Sequence, residues 1–239
     1  NEKKEGFENK LVDLVAKELH AKVKYTWVRQ RRGFIRRTLT GNACDVLPGI
    51  PEGLEKVLTT KPYYRSTYVF VYRKSDDLQL RSFDDPALRK LKIGIHAISL
   101  EGSNPPPAYA LSRRGLVKNV VGYPMLGAEG VANPQGRIIT AVANGDIDVA
   151  IVWGPFGGYF AKQQKRGLNI VPVSPSVEPP GIPFIYAMAM GVRPGETALQ
   201  AELQGILDRR RKDVEKILGA YGIPLVRTEA TPANAQAKN

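Results

Sequence analysis

Gly136–Phe160, GRIITAVANGDIDVAIVWGPFGGYF, decides the fold. Ile138, Ile139 and Val142 recur on one side of a predicted helix, and Asn144-Gly145 is its stop. An apolar run then extends from Ile147 to Val152, interrupted only by Asp148. It ends in Trp153-Gly154-Pro155 and a Gly/aromatic cluster, read as a loop leaving the strand's carboxyl end. Helix, glycine stop and short buried strand form the second half of a βαβ unit. In open α/β sheets the carboxyl edge of the strands is where ligands sit.

The same order occurs at Phe34–Gly49, FIRRTLTGNACDVLPG: helix, Gly41, Asp45, a short apolar strand, then a Pro/Gly loop. Either copy alone could be chance recurrence of common α/β vocabulary. Both together predict two similar α/β lobes, each a central sheet flanked by helices.

Outward from these copies, Phe7, Leu11, Leu14, Val15 and Leu19 are spaced as the apolar face of a helix. Lys22–Trp27 alternates as a strand, and a basic helix is predicted over Arg31–Leu39. Thr67–Arg73, TYVFVYR, is β-branched and aromatic throughout, which predicts a strand buried on both faces. Further strands are predicted at Lys92–Ile98, Leu168–Val173 and Phe184–Val192, and one long amphipathic helix over Thr197–Tyr221. Thr67–Arg73, between the two copies, and Phe184–Val192, after the second, are the natural crossings between lobes. The expected division is 1–73 with 183–227 as a discontinuous first lobe, 74–182 as the second, and 228–239 as a loose tail. Such a division creates a cleft faced by both repeat loops, with hinge closure as its motion.

The 239 residues can bury one large core or two modest ones, and 43% hydrophobic with 24% charged residues is ordinary for a globular chain. No apolar run approaches the length of a membrane span. The chain starts at Asn1, which reads as a processed or trimmed polypeptide. Its net charge of +12 permits nucleic acid, an anionic membrane or an acidic protein as partner. No aromatic-interleaved basic motif and no zinc-finger spacing occurs, so an acidic protein surface is favoured over nucleic acid or membrane insertion.

The chemistry-bearing residues are few. There are two histidines: His20 at a helix end, and His96 in a predicted buried strand, where a structural role is favoured over a base or ligand. No nucleophile elbow, HExxH, CxxC, P-loop or dinucleotide fingerprint occurs, and Asp76-Asp77 and Asp84-Asp85 read as turn caps. No catalytic residue, metal site or cofactor is therefore expected, and the protein is read as not an enzyme. Asp45 and Asp148 occupy corresponding places in the repeats and are read as structural strand-start aspartates. The cleft candidates are Trp153, Phe156 and Tyr159 from one lobe, Tyr63 and Tyr64 from the other, and Ser99 in the loop after Lys92–Ile98. Aromatics at a strand's carboxyl end suit an apolar or peptide ligand.

In this order, Gly6-Phe7 with Leu11, Leu39/Gly41/Asp45, Lys61-Pro62-Tyr63-Tyr64, and Asn144-Gly145 with Asp148 resemble the bilobal (type II) periplasmic solute-binding proteins for polar amino acids. The resemblance spans Gly6 to about Leu225. It implies that the ligand arginine of that family would fall at Gly53 and its amine-binding acid at Trp153. A carboxylate needs a guanidinium and an ammonium a carboxylate, so a free amino acid is not the expected ligand.

EGFENKLVDLVAKEL at Glu5–Leu19, ACDVLPGIP at Ala43–Pro51, NPPPAYAL at Asn104–Leu111 and NGDIDVAIVWGPFGGYFA at Asn144–Ala161 resemble one branch. These are the J-type binding proteins (XoxJ, MxaJ and MoxJ type) of methanol oxidation systems. The resemblance implies a periplasmic accessory of a PQQ-dependent methanol dehydrogenase, assisting its activation or assembly. It also implies that quinoprotein as partner, with its cytochrome c as a second candidate. The basic charge leans toward the lanthanide-dependent subtype. A solute receptor of an ABC-type uptake system and an enzyme on the same scaffold are the alternatives. The resemblance further implies that the family's first strand precedes Gly6 and is absent from this chain, and that a cysteine on it pairs with Cys44, the single cysteine present.

Overall fold

The computed structural model describes residues 3–28, 33–97, 104–125 and 133–227. In chain order, α1 (Phe7–Glu18) and a one-turn α2 (Phe34–Arg37) precede the strands β1 (Leu47–Pro51), β2 (Leu58–Thr59), β3 (Tyr64–Arg73) and β4 (Ile93–Ala97). Then come α3 (Pro106–Arg113), β5 (Val120–Pro124), α4 (Arg137–Asn144), β6 (Val149–Trp153) and α5 (Gly154–Lys162). Strands β7 (Leu168–Pro172), β8 (Val177–Glu178), β9 (Ile182–Pro183) and β10 (Ile185–Val192) lead to α6 (Thr197–Arg209) and α7 (Arg211–Ala220).

The architecture is a two-lobed α/β arrangement. In the second sheet, β4 pairs in parallel with β5 and β6, which α3 and α4 connect as βαβ crossovers. Antiparallel β3 closes this sheet, with β6 on one side and β7 on the other. In the first sheet β10 is central, pairing antiparallel with β1, with β2 and with the start of β3. Strand β3 therefore belongs to both sheets: Tyr64–Thr67 pair with β10, and Tyr68–Arg73 with β6 and β7.

Alternation along β3 explains its sequence. Phe70 and Tyr72 enter one core with Phe83, Leu111 and Phe184, whereas Val69 and Val71 enter another with Ile138, Val142 and Phe160. Strand β6 does the same, with Val149 and Ile151 on one face and Ala150 and Val152 on the other. The first sheet has its own core, in which Leu11 and Val15 of α1 meet Met190, Leu203 and Leu218.

The structure corrects several sequence-based expectations. Lys22–Trp27 forms no strand, because no described residue pairs with it. Tyr25 instead stacks on Trp27 (5.2 Å, 6°), and Thr26 Oγ1 donates to the Ala43 carbonyl (2.8 Å). The expected helix over Arg31–Leu39 contracts to Phe34–Arg37, since Gly33 is left-handed (φ 77°) and Thr38 leaves helical geometry. Arg29 to Arg32 of that basic cluster lie outside the described residues. Cys44 lies just before β1. The long helix over Thr197–Tyr221 is two helices, broken at Arg210 inside a run of four like charges, Arg209–Lys212.

The stretch after Trp153 is also a helix, α5, and not a loop. Pro155 suits its first turn. Its glycines let the helix lie directly on backbone: a Cβ on Gly154 would sit 2.6 Å from the Thr67 carbonyl oxygen, and one on Gly158 would sit 1.9 Å from that of Gly222.

Candidate functional site

At the carboxyl ends of β4 and β6, the edge favoured for ligands in α/β sheets, the two sheets face a cavity of about 290 Å³. The first sheet contributes Gly49 and Pro51 from β1 and Tyr186 and Met188 from β10. The second contributes Tyr68, His96, Ile151 and Trp153, with Phe156 from the first turn of α5. Pro105, before α3, and Met125, after β5, complete the wall.

The lining rings form two edge-to-face groups. Trp153 contacts Tyr68 (5.7 Å, 63°) and Tyr186 (5.7 Å, 80°), and His96 contacts Phe156 (5.7 Å, 85°). Trp153 ends a strand of the second sheet yet packs against the core of the first. Through Tyr186 it joins the two halves of the cleft.

No described wall residue carries a charge at neutral pH. Burial lowers the His96 imidazole below its ordinary value, so the ring is neutral. His96 Nε2 lies 3.0 Å from the Gln135 carbonyl oxygen, which can only accept, so the proton is on Nε2 and Nδ1 is an acceptor. Burial raises the Tyr68 phenol far above its usual range, and burial also raises Tyr186. Both remain protonated. The site thus offers hydroxyls, an indole N–H and one imidazole acceptor among apolar surface. It suits an uncharged, flat or aliphatic group able to exchange a few hydrogen bonds. Among the described residues no group of three or more His, Cys, Asp or Glu side chains is placed to hold a metal ion.

Of the residues singled out from sequence, Trp153 and Phe156 line this cavity. Tyr159 lies elsewhere on α5, stacked on Tyr221 (5.6 Å, 19°) and edge-on to Phe160 (5.0 Å). Tyr63 and Tyr64 line a separate groove against α6 and α7, with Tyr64 edge-on to Phe7 (6.0 Å, 84°). Ser99 lies outside the described residues. Gly53 is in the turn after β1, left-handed (φ 70°), its N–H donating to Thr59 Oγ1 (3.3 Å), and is not part of the cavity wall. Asp148 accepts from the Lys92 backbone N–H (2.7 Å) and lies 3.5 Å from Arg73 Nη2. Asp45 accepts from Arg193 (2.9 Å), whose guanidinium also donates to the Cys44 carbonyl (2.8 Å). The Cys44 thiol is half-buried and is pushed up, first by burial and then by Asp45.

Sequence reasoning did not place Tyr68, Tyr186, Met188 or His96 in the cleft. A signal existed for the two tyrosines: they stand near the starts of the two strands expected to cross between lobes, where a crossing strand faces the gap. His96 carried none, because an apolar strand conceals which face its one polar residue takes.

The family of bacterial extracellular solute-binding proteins, family 3, matches residues 1–222. Protein MoxJ of Methylorubrum extorquens is 28% identical over 233 residues, covering 92% of this chain and 76% of that protein. The crystal structure of periplasmic binding protein XoxJ from Methylobacterium extorquens AM1 is similar with a TM-score of 0.76 and 36% identity, over 94% of this chain and 92% of that one. MxaJ from Methlophaga aminisulfidivorans MPT is similar in fold, with a TM-score of 0.81 and 24% identity over 95% and 94% of the two chains. The two lobes, the cleft at the strand ends and these likenesses agree: the chain belongs to the bacterial extracellular solute-binding proteins of family 3, in their MoxJ/XoxJ-type branch.

Proposed function

We propose that this protein works in the periplasm as a non-catalytic accessory of a PQQ-dependent methanol dehydrogenase, assisting its activation or assembly by holding a segment of that enzyme. The observation that carries this reading is the uncharged aromatic wall of the cleft. Trp153 stands where an amine-binding acid is expected for an amino acid receptor, and the turn at Gly53 offers no guanidinium for a carboxylate. A side chain or backbone stretch of a protein partner has no such charges to satisfy. Identity to XoxJ (36%) exceeds that to MoxJ (28%), which supports the lanthanide-dependent branch. Among the described residues no helix is long and apolar enough to cross a membrane.

In this reading residues 1–73 with 183–227 form one lobe and 74–182 the other, closing about β3 and β10 on the bound segment. The test is whether the chain co-purifies with its methanol dehydrogenase and changes that enzyme's activity. Failure of both, together with strong thermal stabilisation by a free amino acid or organic acid, would overturn it in favour of a solute receptor.

A further inference from the structure

A second concavity carries different chemistry. It is a groove of about 860 Å³ on the first sheet's side, walled by Lys61–Arg65, α6, α7 and the chain at Leu225–Arg227. Leu207, Val214 and Leu218 lie beneath it, buried in the core of the first sheet, and the apolar side chain most open along its wall is Leu225, 46% exposed. The rim is basic: Lys61, Arg65, Arg211 and Arg227 against Asp208 and Glu215. Glu215 is paired with Arg211 (Nε to Oε1 3.2 Å), whereas Asp208 accepts from the neutral amide of Gln204 (2.9 Å) and forms no ion pair among the described residues, so it keeps one negative charge on the rim. Lys61, Arg65 and Arg227 form no ion pair among the described residues. The rim is also held in place. The Lys61 N–H donates to Gln204 Oε1 (2.7 Å), and the Val226 N–H donates to the Arg65 carbonyl (2.9 Å).

We propose that this groove docks an extended acidic segment of a protein partner, with one aliphatic side chain against exposed Leu225 and its carboxylates on Lys61, Arg65 and Arg227. Three cations without an ion pair, against the single unpaired Asp208, stand beside exposed Leu225 in a chain of net charge +12, and match alternating acidic and aliphatic residues. A phosphate backbone would leave the apolar side chain of Leu225 unused. Residues 228–239, TEATPANAQAKN, are a poor match, having one carboxylate side chain, Glu229, and no aliphatic residue larger than alanine. The proposal rests on the reading above only for the partner's identity. Its chemistry comes from the groove alone.

The test uses the full chain and a fluorescent synthetic peptide with a central Leu flanked by Asp and Glu, read by anisotropy beside its Asn/Gln counterpart. The acidic peptide is expected to bind roughly tenfold or more tightly than its counterpart, and to weaken as salt rises. The triple change Lys61→Glu, Arg65→Glu, Arg227→Glu is expected to abolish binding, with circular dichroism checking its fold. If that triple variant unfolds, exposed Arg227→Glu alone is expected to weaken binding severalfold. Trp153→Ala is expected to leave peptide affinity unchanged. Four results would overturn the proposal: equal binding of the two peptides, no binding of the acidic one, indifference to charge reversal in a folded variant, or tighter binding of a single-stranded oligonucleotide or phosphatidylglycerol vesicle. A tenfold gain on Glu229→Gln would also overturn it, by identifying residues 228–239 as the occupant. A peptide that docks while the dehydrogenase does not co-purify would uphold the groove and remove only the assigned partner.

Discussion

Glu8 turns its carboxylate inward onto Gly49, so closely that a Cβ on that glycine would lie 1.7 Å from Glu8 Oε1. Burial raises the Glu8 carboxyl from 4.5 to about 7. The folded protein therefore holds a proton that the unfolded chain releases between those values. Glu8's contribution to stability is full below about pH 4.5 and is lost as pH rises through about 7. Over that window the loss is at most about 3 kcal/mol, and urea unfolding of Glu8→Gln at pH 5 and 7.5 is expected to lack that slope. Gly49 lines the cleft and is left-handed (φ 67°), so Gly49→Ala is expected to cost about 1–2 kcal/mol in backbone strain and to displace the carboxylate. Trp153→Ala is expected to weaken whatever the cleft holds while circular dichroism shows the fold retained. Unchanged affinity would place the interaction elsewhere. At this scale sequence was least informative. Trp153 could be singled out because it follows a strand, but Glu8 reads as an ordinary helix-start acid, and only the fold brings it against Gly49.

Helix α5 shows why elements were legible while one junction was not. The helix–stop–strand order of α4 and β6 follows from apolar period and from Gly145 in the left-handed conformation (φ 88°), and both are local signals. The glycines of α5 look like loop residues because low helix propensity is also local. Their reason is distant: Gly157 faces Val69 of β3 and Gly158 faces the backbone at Gly222. Alanine in a helix interior ordinarily gains about 1 kcal/mol over glycine. Gly158→Ala is expected to reverse that sign and destabilise by about 1–3 kcal/mol, because the obstruction is a backbone carbonyl that cannot swing aside. Gly219→Ala in α7, where the added Cβ meets nothing within 4 Å, is the control and is expected to gain about 0.5–1 kcal/mol. Equal signs for the two variants, measured by denaturant unfolding, would contradict this account. The unpaired Lys22–Trp27 teaches the same point, since alternation encodes a strand's faces but not its neighbour.

For the whole molecule, the proposed role makes net charge the property to test. With a net charge of +12, association with an acidic dehydrogenase is expected to weaken steadily with ionic strength in pull-downs. Retention that does not change between low and high salt would point to the uncharged cleft alone. The two-lobed plan itself could be inferred from the copies around Asp45 and Asp148, although in the first the helix is a single turn and its strand β1 pairs antiparallel with β10, unlike the parallel β6 of the second. The shape of the cleft could not, because its wall is assembled from both sheets across long stretches of chain. Strand β3 adds a constraint on how the chain comes together. It supplies ladder partners to β10, β6 and β7 at once, so neither half can complete its hydrogen bonding alone. The two sheets should then melt in one cooperative transition, and an excised 74–182 fragment, left without the strand between β6 and β7, should remain unfolded. Two lobes in shape would be a single unit in folding.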